Sequence, residues 1–336
     1  MFRPTLVAPW LSSSVRSVSW FRTCNGSKAT CEISLPRSSS GGVPHFATVA
    51  NILVTGAGGQ LGRQIVERAG SREGEHHTVG ATSTELDITD PAAVAGAVVP
   101  GMVVVNCAAY TAVDAAETDE DRAMAVNADG PRNLAEACAR VGARLVHLST
   151  DYVFDGTSTT PYEPDAPTAP KSAYGRTKLA GEQAVLRALP TAHVVRTAWV
   201  YTGSGSDFVS TMRRLEGERD TVSVVDDQVG SPTYSWDLAG GVLELVTAHQ
   251  VDAPILHATN GGTASWYELA RAVFAGVGAD PDRVKPCSSS EFVRPAPRPA
   301  FSVLSADAWA RAGLTPLRDW RDALADALAV SGPATT

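Results

Sequence analysis

Residues 51–69 constrain the fold more than any other stretch: Asn51-Ile52-Leu53-Val54-Thr55, then Gly56-Ala57-Gly58-Gly59-Gln60-Leu61-Gly62, then a helical run over 63–69. A short apolar run that ends in glycine reads as a buried strand, and the periodic residues beyond it read as a helix. Three glycines spaced by three between such elements have separate uses. Gly56 permits a tight turn, Gly59 lets backbone approach a pyrophosphate, and Gly62 lets the helix pack on the strand. The pyrophosphate then rests on the helix N-terminus, with Gln60, Leu61 and Arg63 beside it. A glycine triplet alone is a weak signal, but between strand and helix, with further alternation downstream, it is specific. The expected fold class is α/β, a Rossmann-like doubly wound parallel sheet with a smaller discontinuous C-terminal lobe.

The alternation continues along the chain. A second strand is expected at 77–81, ending in Thr82-Ser83-Thr84, where folds selective for NAD place an acid on the ribose hydroxyl. No carboxylate occurs at those three positions, and Arg63 is within reach of a phosphate. The cofactor expected is therefore NADPH or NADH, with NADPH accepted at least as well. Leu86-Asp87-Ile88 is expected to line the adenine, and Asp90 before Pro91 reads as a helix start. The strand 102–107 closes on Ala108-Ala109-Tyr110-Thr111, mostly small residues that would let the cofactor lie close. A helix over about 119–141 carries Asn127 on an apolar stripe, either as a hydrogen-bonded core residue or as an anchor for water near Lys178. The cofactor lobe is expected over 51–198 with a return helix near 234–248. Residues 199–233 and 251–330 make the substrate lobe, and 331–336 a tail.

The chemistry is concentrated between Ser149 and Leu179. After a loop carrying Pro161, Pro164, Pro167 and Pro170, a helix is expected from about Ala173, which sets Tyr174 and Lys178 at i and i+4 on one face. A free tyrosine, with a pKa of about 10, is a poor acid near neutrality, and a fixed ammonium beside it favours the phenolate. Thr150 closes the strand expected at 144–148, at the ligand edge of a parallel sheet. A hydroxyl, a phenol and an ammonium so placed suit the reduction of a carbonyl group. A Tyr-x-x-x-Lys pair alone would be an ordinary surface pair; the glycine turn upstream gives it meaning.

Charge and cysteines narrow the class. Residues 1–50 carry a balance of +4 against −8 for the whole chain, which leaves −12 on the remainder. A body so acidic argues against sequence-independent nucleic-acid binding. No run reaches the roughly 18 apolar residues of a membrane span. Five cysteines without a C-x-x-C pair indicate neither a disulfide framework nor a zinc site, so a cytoplasmic location is expected and no metal. Residues 1–49 are rich in Ser and Arg and lack an apolar period. They are expected to be disordered, as a transit-like extension or as upstream sequence from a misassigned start.

Together these residues resemble the extended short-chain dehydrogenase/reductases, and closely the dTDP-4-dehydrorhamnose reductase family, over residues 51 to about 330. The glycine turn is shared by the whole superfamily. Ala108 to Asp114, Ser149-Thr150-Asp151-Tyr152-Val153-Phe154, Arg196 to Tyr201 and Asp226 to Thr233 are more specific. The resemblance implies Thr150, Tyr174 and Lys178 as the catalytic trio, and Thr111, Val113, Asp151, Tyr152 and Trp199 around a deoxysugar. Gln228 belongs to the same substrate side. The run Arg294-Pro295-Ala296-Pro297-Arg298-Pro299 is either an extended surface linker or, through Arg294 and Arg298, a clamp on the diphosphate. The implied reaction is reduction of the C4 ketone of dTDP-4-dehydro-L-rhamnose. A dehydratase of the same superfamily places an Asp-Glu pair after the threonine, where this chain has Asp151-Tyr152. The alternatives are a non-catalytic regulatory subunit of this fold, like the methionine adenosyltransferase β subunit, and another nucleotide-sugar epimerase or reductase. Glutamates that bind magnesium across a dimer in some members align with Gln64, Trp236 and Arg321. A metal-bridged dimer is therefore doubtful, and a monomer or weak homodimer is expected.

Overall fold

The central sheet contains, among the described residues, six strands. They are β1 (Ala50–Thr55), β2 (His76–Ala81), β3 (Met102–Asn106), β4 (Arg144–Thr150), β5 (His193–Thr197) and the strand Ile255–His257. Across the sheet they run Ile255–His257, β5, β4, β3, β1, β2, every neighbouring pair parallel. The structure is a computed structural model and describes residues 50–71, 76–248 and 250–330. The expected N-terminal extension and C-terminal tail lie outside the described residues.

Strand period explains the two cores. Ile52, Val54, Val103, Val105, Val146, Leu148 and Val195 face one side, against Ile65 and Ala69 of the helix Gln60–Gly70 and Leu238, Val242 and Val246 of the helix Ser235–Thr247. Leu53, Val104, Leu145 and Val194 face the other, against Val94, Leu134, Cys138 and Val185 from the helices Pro91–Ala97, Gly130–Val141 and Ala173–Ala188. Alternate residues thus enter different cores, which is why the strands read as continuous apolar runs. The order reverses between β1 and β3, and in such sheets the ligand crevice lies at their C-terminal ends.

A third core joins segments beyond Trp199. Tyr201 of the short strand Val200–Tyr201 packs with Val209, Met212, Phe274, Trp320 and Leu324 from the helices Phe208–Glu218, Trp266–Gly276 and Trp320–Val330. The strands Val222–Val225 and Val284–Cys287 pair in parallel beside them. The helix expected over 119–141 is broken into Glu120–Met124, a π-turn over Ala125–Asp129, and Gly130–Val141. The helix Ala173–Ala188 presses against that turn, since a Cβ on Gly181 would lie 2.0 Å from the Asn127 carbonyl oxygen. No helix among the described residues is long and apolar enough to cross a membrane.

Candidate active site

A cleft of about 1080 Å³ opens at the C-terminal ends of β1 and β3. Gly56 has φ +70°, and a Cβ there would sit 2.5 Å from the Ala108 nitrogen, so only glycine can hold the turn this close to the exit of β3. Gly62 acts differently from the sequence reading. A Cβ on it would meet the Gly56 carbonyl oxygen at 2.4 Å, so it lets the helix close on its own entry turn rather than on the strand. Gly59 precedes that helix, whose first turn has neither a side-chain cap nor an acid. A bare helix N-terminus behind a close glycine turn suits a pyrophosphate. Gly56, Gly59, Gln60, Leu61, Gly62, Arg63, Asp87, Ile88, Ala108, Ala109 and Thr111 all line the cleft.

Asn127 stands behind it, fully buried. Its Oδ1 accepts from the Tyr110 N–H at 2.8 Å, and its Nδ2 donates to the Tyr110 carbonyl at 3.1 Å and to Thr177 Oγ1 at 3.1 Å. Both polar atoms are engaged by protein, which supports the structural of its two readings: it fastens the loop after β3 to the helix Ala173–Ala188.

That helix begins where Ser172 Oγ accepts from the Gly175 N–H at 3.1 Å. Gly175 allows it to press on the turn Asp151–Val153, because a Cβ there would lie 2.2 Å from the Tyr152 carbonyl oxygen. Tyr152 and Tyr174 consequently meet edge to face, with ring centroids 5.5 Å apart. Thr150, the last residue of β4, donates to Asp151 Oδ1 at 2.8 Å, and its hydroxyl is near enough to the Tyr174 phenol to act on its proton. Lys178 is buried, and its Nζ donates to the Leu148 carbonyl at 2.6 Å. Cys107 lines the cleft and senses the Lys178 charge, so the cleft and the catalytic corner adjoin.

The expectation that Lys178 holds the phenol down is corrected by the balance of forces. Burial pushes the Tyr174 phenol up to about 12, the Thr150 hydroxyl pulls it down, and the Asp151 charge pushes it up. Lys178 is itself lowered to about 8 by burial, against the attraction of Glu182 and Cys107. Its ammonium is directed at a backbone carbonyl, and desolvation dominates at the ring. The phenol therefore carries its proton at neutral pH. Asp151 is raised to about 6 by burial, with the neighbouring Ser302 hydroxyl and the hydrogen bond from Thr150 opposing.

The two arginines of the proline-rich run are separated. Arg298 Nη2 pairs with Asp114 Oδ1 at 3.0 Å, next to Val113 and close enough to Tyr152 to influence its phenol. Arg294 is exposed and lies over the Phe292 ring, 5.0 Å from its centroid. Gln228 Nε2 donates to Ser289 Oγ at 2.7 Å. Trp199 has φ 47°, left-handed backbone that is strained for so bulky a residue. One side of its indole stacks on Trp266 at 3.5 Å between centroids, and Gly230 packs against it too, where a Cβ would come within 2.4 Å of Cε2.

The family model described as RmlD substrate binding domain matches residues 50–332. A dTDP-4-dehydrorhamnose reductase of Mycolicibacterium smegmatis is 57% identical over 287 residues, 85% of this chain and 87% of that relative. The chain belongs to the dTDP-4-dehydrorhamnose reductase family. A dTDP-4-dehydrorhamnose reductase of Mycobacterium tuberculosis is 57% identical over 290 residues, 85% of this chain and 94% of that one. The crystal structure of the dTDP-4-dehydrorhamnose reductase of Bacillus anthracis in complex with NADP superimposes with a TM-score of 0.79 at 36% identity, covering 84% of this chain and 100% of that one.

The family site has neighbours that the sequence reading did not single out. Thr202, Ser204, Gly205 and Ser206 also line the cleft. Asp207 holds their loop by accepting from the Thr202 N–H at 2.7 Å and the Gly203 N–H at 3.1 Å. Asp114 fixes Arg298. Residues 82–84 hold no carboxylate, as the sequence has it, but Glu85 beside them folds back, and its Oε2 accepts from the Thr82 N–H at 2.8 Å and from Thr82 Oγ1 at 2.7 Å. The signal was available, since Thr-x-x-Glu is the pattern in which a glutamate returns to the backbone three residues earlier.

Proposed function

We propose that this chain reduces the C4 ketone of dTDP-4-dehydro-L-rhamnose to dTDP-L-rhamnose with NADPH or NADH. The observation that carries this reading is the convergence of Thr150, Tyr174 and Lys178 beside a cleft floored by a glycine turn and a bare helix N-terminus. Gly56, Gly59, Gly62 and the residues after β3 would hold the cofactor, whose nicotinamide supplies the hydride when bound. Tyr174, protonated at neutral pH, gives its proton to the ketone oxygen. Thr150 donates a hydrogen bond to that oxygen by turning its one proton away from Asp151. Lys178, one helical turn away, stabilises the phenolate left behind and contacts the cofactor ribose. Thr111, Val113, Asp151, Tyr152 and Trp199 border the deoxysugar, with Gln228 and Arg298 on the dTDP side.

In the same reading, residues 51–198 with the helix Ser235–Thr247 form the cofactor lobe, and 199–233 with 251–330 the substrate lobe. The protein works in the cytoplasm as a monomer or weak homodimer. The test is NAD(P)H oxidation with dTDP-4-dehydrorhamnose generated in situ, compared with GDP- and UDP-linked ketosugars. Turnover confined to the dTDP sugar is expected; none with any ketosugar would favour a regulatory subunit of this fold.

A further inference from the structure

The end of β2 holds an anion supplied by the chain itself. The Thr82 N–H and the Thr82 hydroxyl both donate to Glu85 Oε2, at 2.8 and 2.7 Å. Thr84 Oγ1 lies 3.0 Å from Thr82 Oγ1, so a second hydroxyl borders the same spot. The turn is closed by the Glu85 and Leu86 N–H groups, which donate to the Thr82 carbonyl at 3.1 and 2.9 Å. This turn borders the glycine loop: the Ala57 N–H donates to the Ala81 carbonyl at 3.1 Å, and a Cβ on Gly58 would lie 3.5 Å from Thr82 Cγ2. Thr82 and Ser83 line the cleft, and Arg63 donates from Nη2 to the Gly58 carbonyl at 3.0 Å on the same rim.

A backbone N–H and a hydroxyl converging beside an arginine would otherwise be a receptor for a phosphate. Here the receptor is filled by a carboxylate. We propose that Glu85 is a cofactor-specificity residue, a built-in competitor for the 2′-phosphate that biases this chain toward the cofactor lacking it. The proposal rests on the reading of the cleft as the dinucleotide site. Glu85 reaches the cleft only through Thr82, which lines it, so a ribose 2′-hydroxyl brought to Thr82 would meet the carboxylate as an acceptor. A 2′-phosphate must either displace it from Thr82 or sit beside it, with like charges a few ångströms apart.

Titration of the full-length chain with NADH and with NADPH, followed by nicotinamide fluorescence, tests this in the wild type, Glu85→Gln and Glu85→Ala. The wild type should bind NADH more tightly than NADPH. Glu85→Gln keeps the size and loses the charge, and should move the ratio of the two Kd values toward NADPH by about tenfold at low salt, less at high salt. Glu85→Ala, which also vacates the Thr82 donors, should move it at least as far. A ratio unchanged within about twofold in both variants, or moved toward NADH, would overturn the assignment. Failure of the wild type to bind either dinucleotide would instead overturn the reading of the cleft, and this inference with it.

Discussion

Glu182 and Arg196 form a two-bond charge pair, Nε to Oε1 at 2.9 Å and Nη2 to Oε2 at 2.7 Å, with both side chains only 2% exposed. Ser149 Oγ donates to the same carboxylate at 2.5 Å, and Arg196 Nη1 reaches the Pro164 carbonyl at 3.0 Å. The pair thus ties β4, β5, the catalytic helix and the loop before it into one buried network. Arg196→Met leaves Glu182 buried without its partner and should lower stability by about 3–5 kcal/mol. Adding Glu182→Leu should recover part of that loss, as measured by urea unfolding. Equal loss in the single and double variants would mean that packing, and not charge, dominates here.

Tyr174→Phe removes only a hydroxyl. Urea stability and NADH affinity should be retained while turnover falls by roughly 100- to 10,000-fold, the range of a lost general acid. Thr150→Val should be milder, because one hydrogen bond to the oxyanion goes while the donor remains. Lys178→Met should match Tyr174→Phe in turnover and also weaken cofactor binding. Near-normal turnover by Tyr174→Phe would transfer the proton-donor role to another group, with Tyr152 the nearest candidate.

Asp151 gives a pH signature. Its folded value of about 6 lies above the unfolded 3.8, so its contribution to stability is complete below pH 3.8 and is lost as pH rises through 6. The shift corresponds to about 3 kcal/mol. Asp151→Asn should therefore gain about that much relative to the wild type between pH 3.5 and pH 7.5, read from urea midpoints at each pH. Parallel pH profiles for the two proteins would show that the carboxyl is not held protonated by burial.

The separation of the two arginines predicts unequal roles. Arg298→Gln should raise KM for the dTDP sugar by about tenfold, the equivalent of one charge-assisted contact, with a smaller change in kcat. Arg294→Gln, on the exposed Phe292, should change KM by less than about twofold. The reverse order in steady-state kinetics would place the diphosphate at the other end of the proline-rich run.

Gly230→Ala puts a methyl group against the Trp199 indole, which is already confined by Trp266. The overpacking should cost about 1–3 kcal/mol and raise KM, since a displaced Trp199 would no longer border the deoxysugar as proposed. Unchanged melting temperature and KM would show that the stack is looser than its geometry implies.

What the sequence by itself determined is local. The glycine turn, the placement of Tyr174 and Lys178 one helical turn apart, and the Asp90 cap, whose carboxylate accepts from the Ala92 and Ala93 N–H groups, all follow from residues a few positions apart. Backbone geometry fixes such relations whatever surrounds them. The Glu85 return to Thr82 belongs with them and was legible as Thr-x-x-Glu. Tertiary structure decided which partner each charge received. Arg298 and Asp114 are 184 positions apart, Arg196 meets Glu182 only because β5 and the helix Ala173–Ala188 come together, and the Lys178 ammonium went to the Leu148 carbonyl rather than to the phenol. The upward push on the Tyr174 phenol comes from desolvation, which arises only when the helix Ala173–Ala188 packs onto the turn after β4. Sequence spacing gives the direction in which a side chain leaves its element; burial and the nearest opposite charge come from segments that meet only in the folded chain.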